Sequence, residues 1–405
     1  MGVPAHFAWA AVMSFDQELT ARLDALQAQG LRRELRRVDS PPGPRLVLGG
    51  RTLLNFASND YLGLAGHPAL QAAAVRAVEE FGAGSGASRL ICGSLAPHHE
   101  LEEALAEFKG SEAALSFSSG YAAAVGTLGA LLGKGDVVIL DKLVHACIVD
   151  GARLSGATIR VCRHNDLDHL EAHLRWAVGR GGHTLVVTES VFSMDGDRAP
   201  LREIVELKDR HGAWLMVDEA HATGLFGPRR RGVAEELGVG ERVEVQMGTL
   251  GKALGAAGGY IAGSRTLVDY LINRARSFIF STAPVPAQAA AARAAVALIQ
   301  SQEGAGLCAR IWERVAQAQV GLSCTRQSSA IMPLRLGDEA LAVTTAAELR
   351  ERGLFVPAIR YPTVARGQAR LRVTLGAAHS PQDIEALITA LASVRGAPPA
   401  FAHPP

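Results

Sequence analysis

Two stretches, Trp214-Leu-Met-Val-Asp218-Glu-Ala-His221 and Val243-Glu-Val-Gln-Met-Gly-Thr-Leu-Gly-Lys252-Ala-Leu-Gly, decide how this chain folds. Each opens as a short apolar run of strand length and closes in polar residues, the pattern of a buried strand whose carboxyl end faces a site. An acid ends the first, and a lysine follows the second 34 residues after that acid. An Asp at a strand end is often only a helix N-cap, and a single Lys is usually a surface charge. Here Lys252 lies between Gly-Thr-Leu-Gly and Ala-Leu-Gly, among small residues, and His221 follows Asp218 by three, so that both can face one planar ring.

The pattern repeats outward from these two segments. Periodicity predicts helices over 68–81, 97–109 and 119–132 and strands over 136–140, 158–161, 184–188, 214–217 and 243–247, with helices between most of them. Short Val/Ile/Leu strands alternating with helices make an α/β fold with a mostly parallel central sheet covered by helices. Ligands in such sheets bind at the carboxyl ends of the strands, where Asp141, Glu189, Asp218 and Thr249 fall. Pro284 and Pro286 interrupt the alternation. An Ala-rich helix (287–300), a segment at 312–320, a strand at 331–336, a helix over 339–352, a strand at 371–375 and a helix over 381–394 then predict a smaller α+β C-terminal domain. Ahead of the large domain, Leu19, Leu23, Leu26 and Leu31 among charges read as an amphipathic helix across 15–37. A hairpin over 45–56 turns at Gly49-Gly50 and leads to the polar turn Ser58-Asn-Asp-Tyr-Leu-Gly63. The expected organisation is an arm (1–55), a large domain (56–285), a small domain (286–395) and a disordered Ala/Pro tail (396–405).

Composition removes several classes. The 405 residues are 48% hydrophobic with a formal net charge of +1, so no bulk field or basic stripe favours nucleic acid or a membrane surface. The five cysteines (92, 147, 162, 308, 324) are odd in number and irregularly spaced, as expected of free thiols in a reducing compartment. Met1 to Met13 lacks a basic leader region, and no apolar run is long enough to span a bilayer; the expectation is a cytoplasmic, soluble protein.

The chemistry these residues suit is that of pyridoxal phosphate, which needs an amine for an imine, an anion for its ring nitrogen, a cover for the ring and a cradle for its phosphate. Lys252 is the amine and Asp218 the anion. His221 is positioned for the phenolic oxygen and His145 for stacking. Gly120 and Tyr121 open a helix whose N–H groups suit a phosphate, with hydroxyls at Thr249, Ser281 and Thr282 and at Ser193 for the phenolic oxygen or a substrate carboxylate. Two lookalikes are set aside. Gly82-Ala-Gly-Ser-Gly-Ala follows a helix rather than a strand, unlike a dinucleotide loop. His169-Leu-Glu-Ala-His173 has no third ligand and reads as a solvated helix face; no metal site is expected.

In order along the chain, several motifs together resemble the α-oxoamine synthase family of fold-type I pyridoxal phosphate enzymes. They are Asn55-Phe-Ala-Ser-Asn-Asp-Tyr-Leu-Gly-Leu, Gly84-Ser-Gly-Ala-Ser-Arg-Leu, Val187-Thr-Glu-Ser-Val-Phe-Ser-Met-Asp-Gly-Asp, Met216-Val-Asp-Glu-Ala-His, Thr249-Leu-Gly-Lys252 and Ala369-Arg-Leu-Arg-Val-Thr-Leu-Gly-Ala-Ala-His379. The resemblance runs from about Leu19 to Leu391. It implies a decarboxylative condensation of an amino acid with an acyl thioester, carried by coenzyme A or an acyl carrier protein. It further implies Lys252 as base, Asp218 sustaining the ring's positive charge, and Asn59 and Arg372 on the amino acid's carboxylate. Arg32 and Thr363 would fall on the acyl substrate, and Ser281 and Thr282 would reach the partner's phosphate in a homodimer. Phe355-Val-Pro-Ala-Ile-Arg-Tyr-Pro-Thr-Val is most similar to the branch that uses L-alanine and a pimeloyl thioester. Tyr361, where that branch often has Pro, and Ala124, where Asn is frequent, depart from it, and a Tyr-Pro there also occurs in glycine-using branches. A scaffold that keeps the fold without catalysis is the alternative of another class, and intact Lys252, Asp218 and His221 argue against it.

Overall fold

A computed structural model describes residues 13–324 and 328–394. The expectations for the leader segment before Met13 and for the tail at 396–405 lie outside the described residues. The large domain is built on a seven-stranded sheet of β3 (Ala113–Phe117), β4 (Val137–Asp141), β5 (Thr158–Cys162), β6 (Thr184–Glu189), β7 (Trp214–Asp218), β8 (Val245–Thr249) and β9 (Gly259–Gly263), after a small hairpin of β1 (Arg45–Leu48) and β2 (Arg51–Asn55). Its order is β3-β9-β8-β7-β6-β4-β5. Strands β5, β4, β6, β7 and β8 pair in parallel, while β9 runs antiparallel to both β8 and β3.

Alternation along each strand sends side chains to two opposite layers. Val137, Ile139, Val186, Leu215 and Val217 join the larger core, with the helices Ala96–Lys109, Leu201–Arg210 and Pro286–Gln300. Val138, Leu140, Leu185, Val187, Met216 and Met247 join the other, with helices Gly120–Leu131, Ala146–Ser155 and Arg265–Arg274. Burial on both faces is why these strands read as continuous apolar runs rather than alternating ones. The reading missed β3 and β9 for a related reason. Ala113-Ala-Leu-Ser-Phe117 and Gly259-Tyr-Ile-Ala-Gly263 are rich in small residues with weak strand propensity, and tertiary burial overrides it.

The small domain pairs β10 (Ile331–Gly337), β12 (Ala358–Ile359) and β13 (Ala369–Thr374) in the order β10-β13-β12. Strand β11 (Leu354–Phe355) leaves that sheet and pairs in parallel with β2, so the N-terminal hairpin and the C-terminal segment share one three-stranded sheet. The helix expected across 15–37 is shorter. It spans Phe15–Ala28, capped by Ser14 and Gln17, and ends before Gly30, which adopts φ +65°. None of its residues is buried within this chain. Strand β8 also lies two residues later than predicted, at 245–249 rather than 243–247. No helix among the described residues is long and apolar enough to cross a membrane.

The start of helix Gly120–Leu131 presses directly on β9. A Cβ at Gly259 would lie 2.6 Å from both Cα and N of Gly120. Backbone cannot yield there as a flexible side chain could, so Gly259→Ala should lower stability by about 1–3 kcal/mol. Urea unfolding of the two proteins measures this; an unchanged midpoint and slope would contradict the close packing.

Candidate active site

The carboxyl ends of β6, β7 and β8 lie side by side, and Glu189 is the register partner of Asp218. Both carboxylates are buried, and burial pushes both up from their ordinary range; for Glu189 the neighbouring Asp218 adds to it, while the Lys252 amine pulls both back. Asp218 Oδ1 accepts from the N–H of Ala220 at 2.9 Å, and Glu189 Oε1 accepts from the N–H of His145 at 2.5 Å. Two buried acids with one amine between them form a pocket that favours a further positive charge.

Lys252 stands in the loop between β8 and β9. Desolvation lowers its pKa against the opposing pull of Asp218 and Glu189, so its amine is more easily freed for proton transfer. Its Nζ lies 3.0 Å from His221 Nε2, and His221 Nδ1 lies 2.6 Å from the hydroxyl of Tyr61. Tyr61 donates to Asn59 Oδ1 at 3.5 Å, and Arg372 Nη1 donates to the same oxygen at 3.1 Å. One consistent set of donors therefore runs from the lysine through a neutral His221 and Tyr61 to Asn59. Burial, helped by Lys252 and Arg372, holds the His221 pKa well below the ordinary histidine range, in keeping with that neutral ring. Burial also pushes the Tyr61 hydroxyl up to about 12.

Arg372 closes the chain from β13. Its Nε donates to the Ser193 carbonyl at 2.6 Å and its Nη1 to Thr374 Oγ1 at 2.9 Å, while the buried Nη2 has no partner. A buried guanidinium N–H left unpaired is costly, and a carboxylate would satisfy it. His145 caps helix Ala146–Ser155, and its Nδ1 accepts from the N–H of Cys147 at 3.3 Å. Its surface is open, yet enough protein surrounds the ring that desolvation, with Lys252 adding, lowers its pKa. Helix Gly120–Leu131 is capped by Ser119, whose side chain accepts from the N–H of Ala122, leaving the N–H groups of Gly120 and Tyr121 at the helix start for an anion.

An amine, a buried acid, an anion-binding helix start and an orphaned guanidinium fit a phosphorylated pyridine aldehyde carrying an amino acid. Lys252, Asp218, His145, Gly120 and Tyr121 would hold the cofactor. The remaining predicted residues make contacts within the protein. Thr249 Oγ1 donates to the Gly258 carbonyl at 3.0 Å and accepts from the N–H of Gly251, bracing the loop before Lys252. Ser193 contributes its carbonyl to Arg372. Ser281 and Thr282 follow the short helix Arg276–Ile279, and exposed Thr282 bridges Ser88. Of the adjacent arginines, it is Arg33 whose Nη2 donates to Thr363 Oγ1 at 3.3 Å; Arg32 offers its backbone carbonyl to Arg360. The sequence reading missed Tyr61 as a site residue, although it stands in the polar turn after β2, because a tyrosine in a turn gives no sign of the histidine it will meet. His173 corrects the solvated-face reading: it is buried, with Nε2 3.2 Å from the Val161 carbonyl.

The rim loop that carries Ser193 is tied to the sheet by His164, whose Nδ1 lies 2.9 Å from Asp141 and Nε2 2.8 Å from Asp197. Burial opposes protonation of this ring, but the hydrogen bonds of both aspartates outweigh it and raise the pKa to about 10. A raised histidine pKa gives stability that is complete below the unfolded value of about 6.5 and is lost as pH rises through about 10. The stability gap between this protein and His164→Gln should therefore shrink by about 1–3 kcal/mol, discounted for partial exposure, between about pH 6 and pH 10. Urea unfolding at several pH values checks it; a gap independent of pH would refute the clamp.

The family model for aminotransferase class I and II matches residues 51–391. A protein of Anaeromyxobacter dehalogenans strain 2CP-1 named 8-amino-7-oxononanoate synthase is 52% identical over 379 residues, covering 92% of this chain and 94% of that one. A Geobacter sulfurreducens protein of the same name is 49% identical over 384 residues, covering 93% and 98%. Among solved structures, serine palmitoyltransferase from Sphingomonas wittichii superposes with a TM-score of 0.87 at 34% identity, covering 94% of this chain and 97% of that one. A serine palmitoyltransferase from S. paucimobilis, solved with a bound PLP–myriocin aldimine, also gives 0.87 at 31% identity, covering 92% and 95%. 8-Amino-7-oxononanoate synthase from Francisella tularensis gives 0.70 at 27% identity, covering 84% and 97%. With a fold-type I architecture and about half its residues shared with these relatives over nearly its whole length, the chain belongs to the aminotransferase class I and II family, among the relatives named 8-amino-7-oxononanoate synthase.

Proposed function

We propose that this enzyme binds pyridoxal phosphate and condenses L-alanine with a pimeloyl thioester, releasing carbon dioxide and the free thiol and forming 8-amino-7-oxononanoate. The observation that carries the reading is the buried, unpartnered Nη2 of Arg372, joined through Asn59, Tyr61 and His221 to the amine of Lys252. That arrangement suits an amino acid whose carboxylate is gripped by Arg372 while its α-carbon lies toward Lys252.

The cofactor, when bound, supplies an electron sink for the charge left on the α-carbon. Asp218, buried and braced by the N–H of Ala220, would hold a proton on the ring nitrogen. Lys252, with its pKa lowered by burial, takes the α-proton, and His221 beside it stays neutral rather than competing as a second cation. The new bond forms between the α-carbon and the acyl carbonyl carbon, and the thiolate leaves. The bond to the original carboxyl then breaks, carbon dioxide departs and a proton returns to the α-carbon. His145, exposed beside this site, would cover the ring. Arg33 with Thr363, and Arg32 beside them, would face the acyl chain at the mouth of the site. A homodimer, with Ser281 and Thr282 reaching the partner's phosphate, and a cytoplasmic setting belong to the same proposal; the thioester is carried by coenzyme A or an acyl carrier protein.

Product analysis by mass spectrometry, with pimeloyl-CoA and L-alanine or glycine, tests the substrate. The expected outcome is the alanine-derived amino ketone; product from glycine alone would keep the chemistry and overturn the amino acid. Lys252→Ala should lower turnover by at least about a thousandfold, and Asp218→Asn should retain cofactor with turnover reduced by about a hundredfold or more. Turnover near that of the unaltered enzyme in either variant contradicts the role given to that residue.

A further inference from the structure

We propose that Asp195 is a positioning residue that aims Arg372 by clamping the rim loop onto the small domain; the inference rests on the assignment of Arg372 to the substrate carboxylate. Asp195 Oδ1 accepts from Arg335 Nη2 at 2.5 Å and from Arg370 Nη1 at 2.6 Å. Arg335 and Arg370 are register partners across β10 and β13. Two like charges directly opposite on antiparallel strands repel, and the Arg370 side chain is only 4% exposed, so water screens little of that repulsion. One shared carboxylate, itself buried, makes the pair tolerable.

The same clamp reaches Arg372. Arg370 Nη1 also donates to the Met194 carbonyl at 3.3 Å. Two residues along β13, on the same face because alternate strand residues share one, Arg372 donates its Nε to the Ser193 carbonyl at 2.6 Å. Residues 193–195 are thus gripped one after another by the two arginines. The Nε bond, together with the Nη1 bonds to Asn59 and Thr374, sets the plane of the Arg372 guanidinium, and that plane sets where the unpartnered Nη2 points. The far side of the loop is anchored separately, by Ser329 Oγ on the Gly196 carbonyl at 2.7 Å and by His164 on Asp197. Asp195 is therefore the charged contact that ties the stretch presenting the Ser193 carbonyl to β10 and β13, while the Ser193 N–H is held by Glu189 on the sheet side. Removing its charge leaves two crowded guanidiniums facing a neutral amide, and the loop and Arg372 shift together.

A strut between domains that serves stability alone would weaken both substrates or neither; a positioning residue for Arg372 weakens the amino acid alone. The test uses the holoenzyme of the unaltered chain, Asp195→Asn, Arg372→Ala and the double variant. Binding of L-alanine, glycine and L-serine is followed through the cofactor's visible absorbance, with the KM for the acyl thioester measured on the same preparations. Asp195→Asn should weaken amino-acid binding roughly tenfold and leave the thioester KM within about twofold, and the double variant should bind no more weakly than Arg372→Ala. Should Asp195→Asn prove unstable, Arg335→Gln, which leaves Arg370 its carboxylate, should show a smaller loss in the same direction. Unchanged amino-acid binding in Asp195→Asn, with a loss in Arg372→Ala, overturns the proposal and leaves the Arg372 assignment standing. Unchanged binding in Arg372→Ala overturns both. Equal loss of both substrates, or additive losses in the double variant, would make Asp195 a strut and overturn the proposal alone.

Discussion

Burying Glu189 and Asp218 side by side at the carboxyl edge of a sheet is the constraint on which the rest of this structure depends. Two acids cannot remain charged in such a place unless positive charge and hydrogen-bond donors converge on them. Lys252, the N–H of His145 and the N–H of Ala220 supply part of that. Each comes from a different strand end, so the need to satisfy two carboxylates fixes where the loops after β4, β7 and β8 must run. A protonated pyridine nitrogen would satisfy the remainder, which ties the stability of this site to the cofactor it suits.

The site is also where the two domains meet. Arg372 comes from β13 in the small domain, Asn59 and Tyr61 from the turn after β2, and Ser193 to Asp195 from a loop of the large domain. Their hydrogen bonds join the lysine that would handle the proton to the guanidinium that would hold the carboxylate. Such a network is costly if one member is missing, because each buried polar group would then face an unpaired neighbour. Binding and catalysis are in this sense one structural unit, and the rim loop is held on both sides because errors of an ångström in Arg372 would carry to the reacting carbon.

Much of this was legible in the residues. The apolar run ending in Asp218 and the small-residue turn around Lys252 marked two strand ends and an amine just after the second, because strand burial and sheet-edge chemistry both leave local marks. The parallel sheet followed from Val/Ile/Leu runs spaced by helices. What escaped was whatever lacked a local mark. β9 is a strand because it pairs with β8 on one side and β3 on the other, and β3 because it closes that end of the sheet, though Ala-Ala-Leu-Ser-Phe and Gly-Tyr-Ile-Ala-Gly carry little strand preference. The helix expected through Arg37 stops at Ala28, since periodicity alone did not show the end at Gly30.

The sequence by itself determined the fold class and pointed to an amine, an acid and a helix start suited to an anion, since each is a short segment whose chemistry is set by its own neighbours. Only the tertiary structure decided that Tyr61 links His221 to Asn59, that Arg33 rather than Arg32 reaches Thr363, and that Asp195 holds two opposed arginines. Tyr61 and His221, Arg33 and Thr363, and Asp195 and Arg335 lie between 140 and 330 residues apart along the chain. Hydrogen bonds are directional and short-ranged, so which atoms meet is settled by how the sheet, the hairpin and the small domain pack, and by no pattern within any one of them.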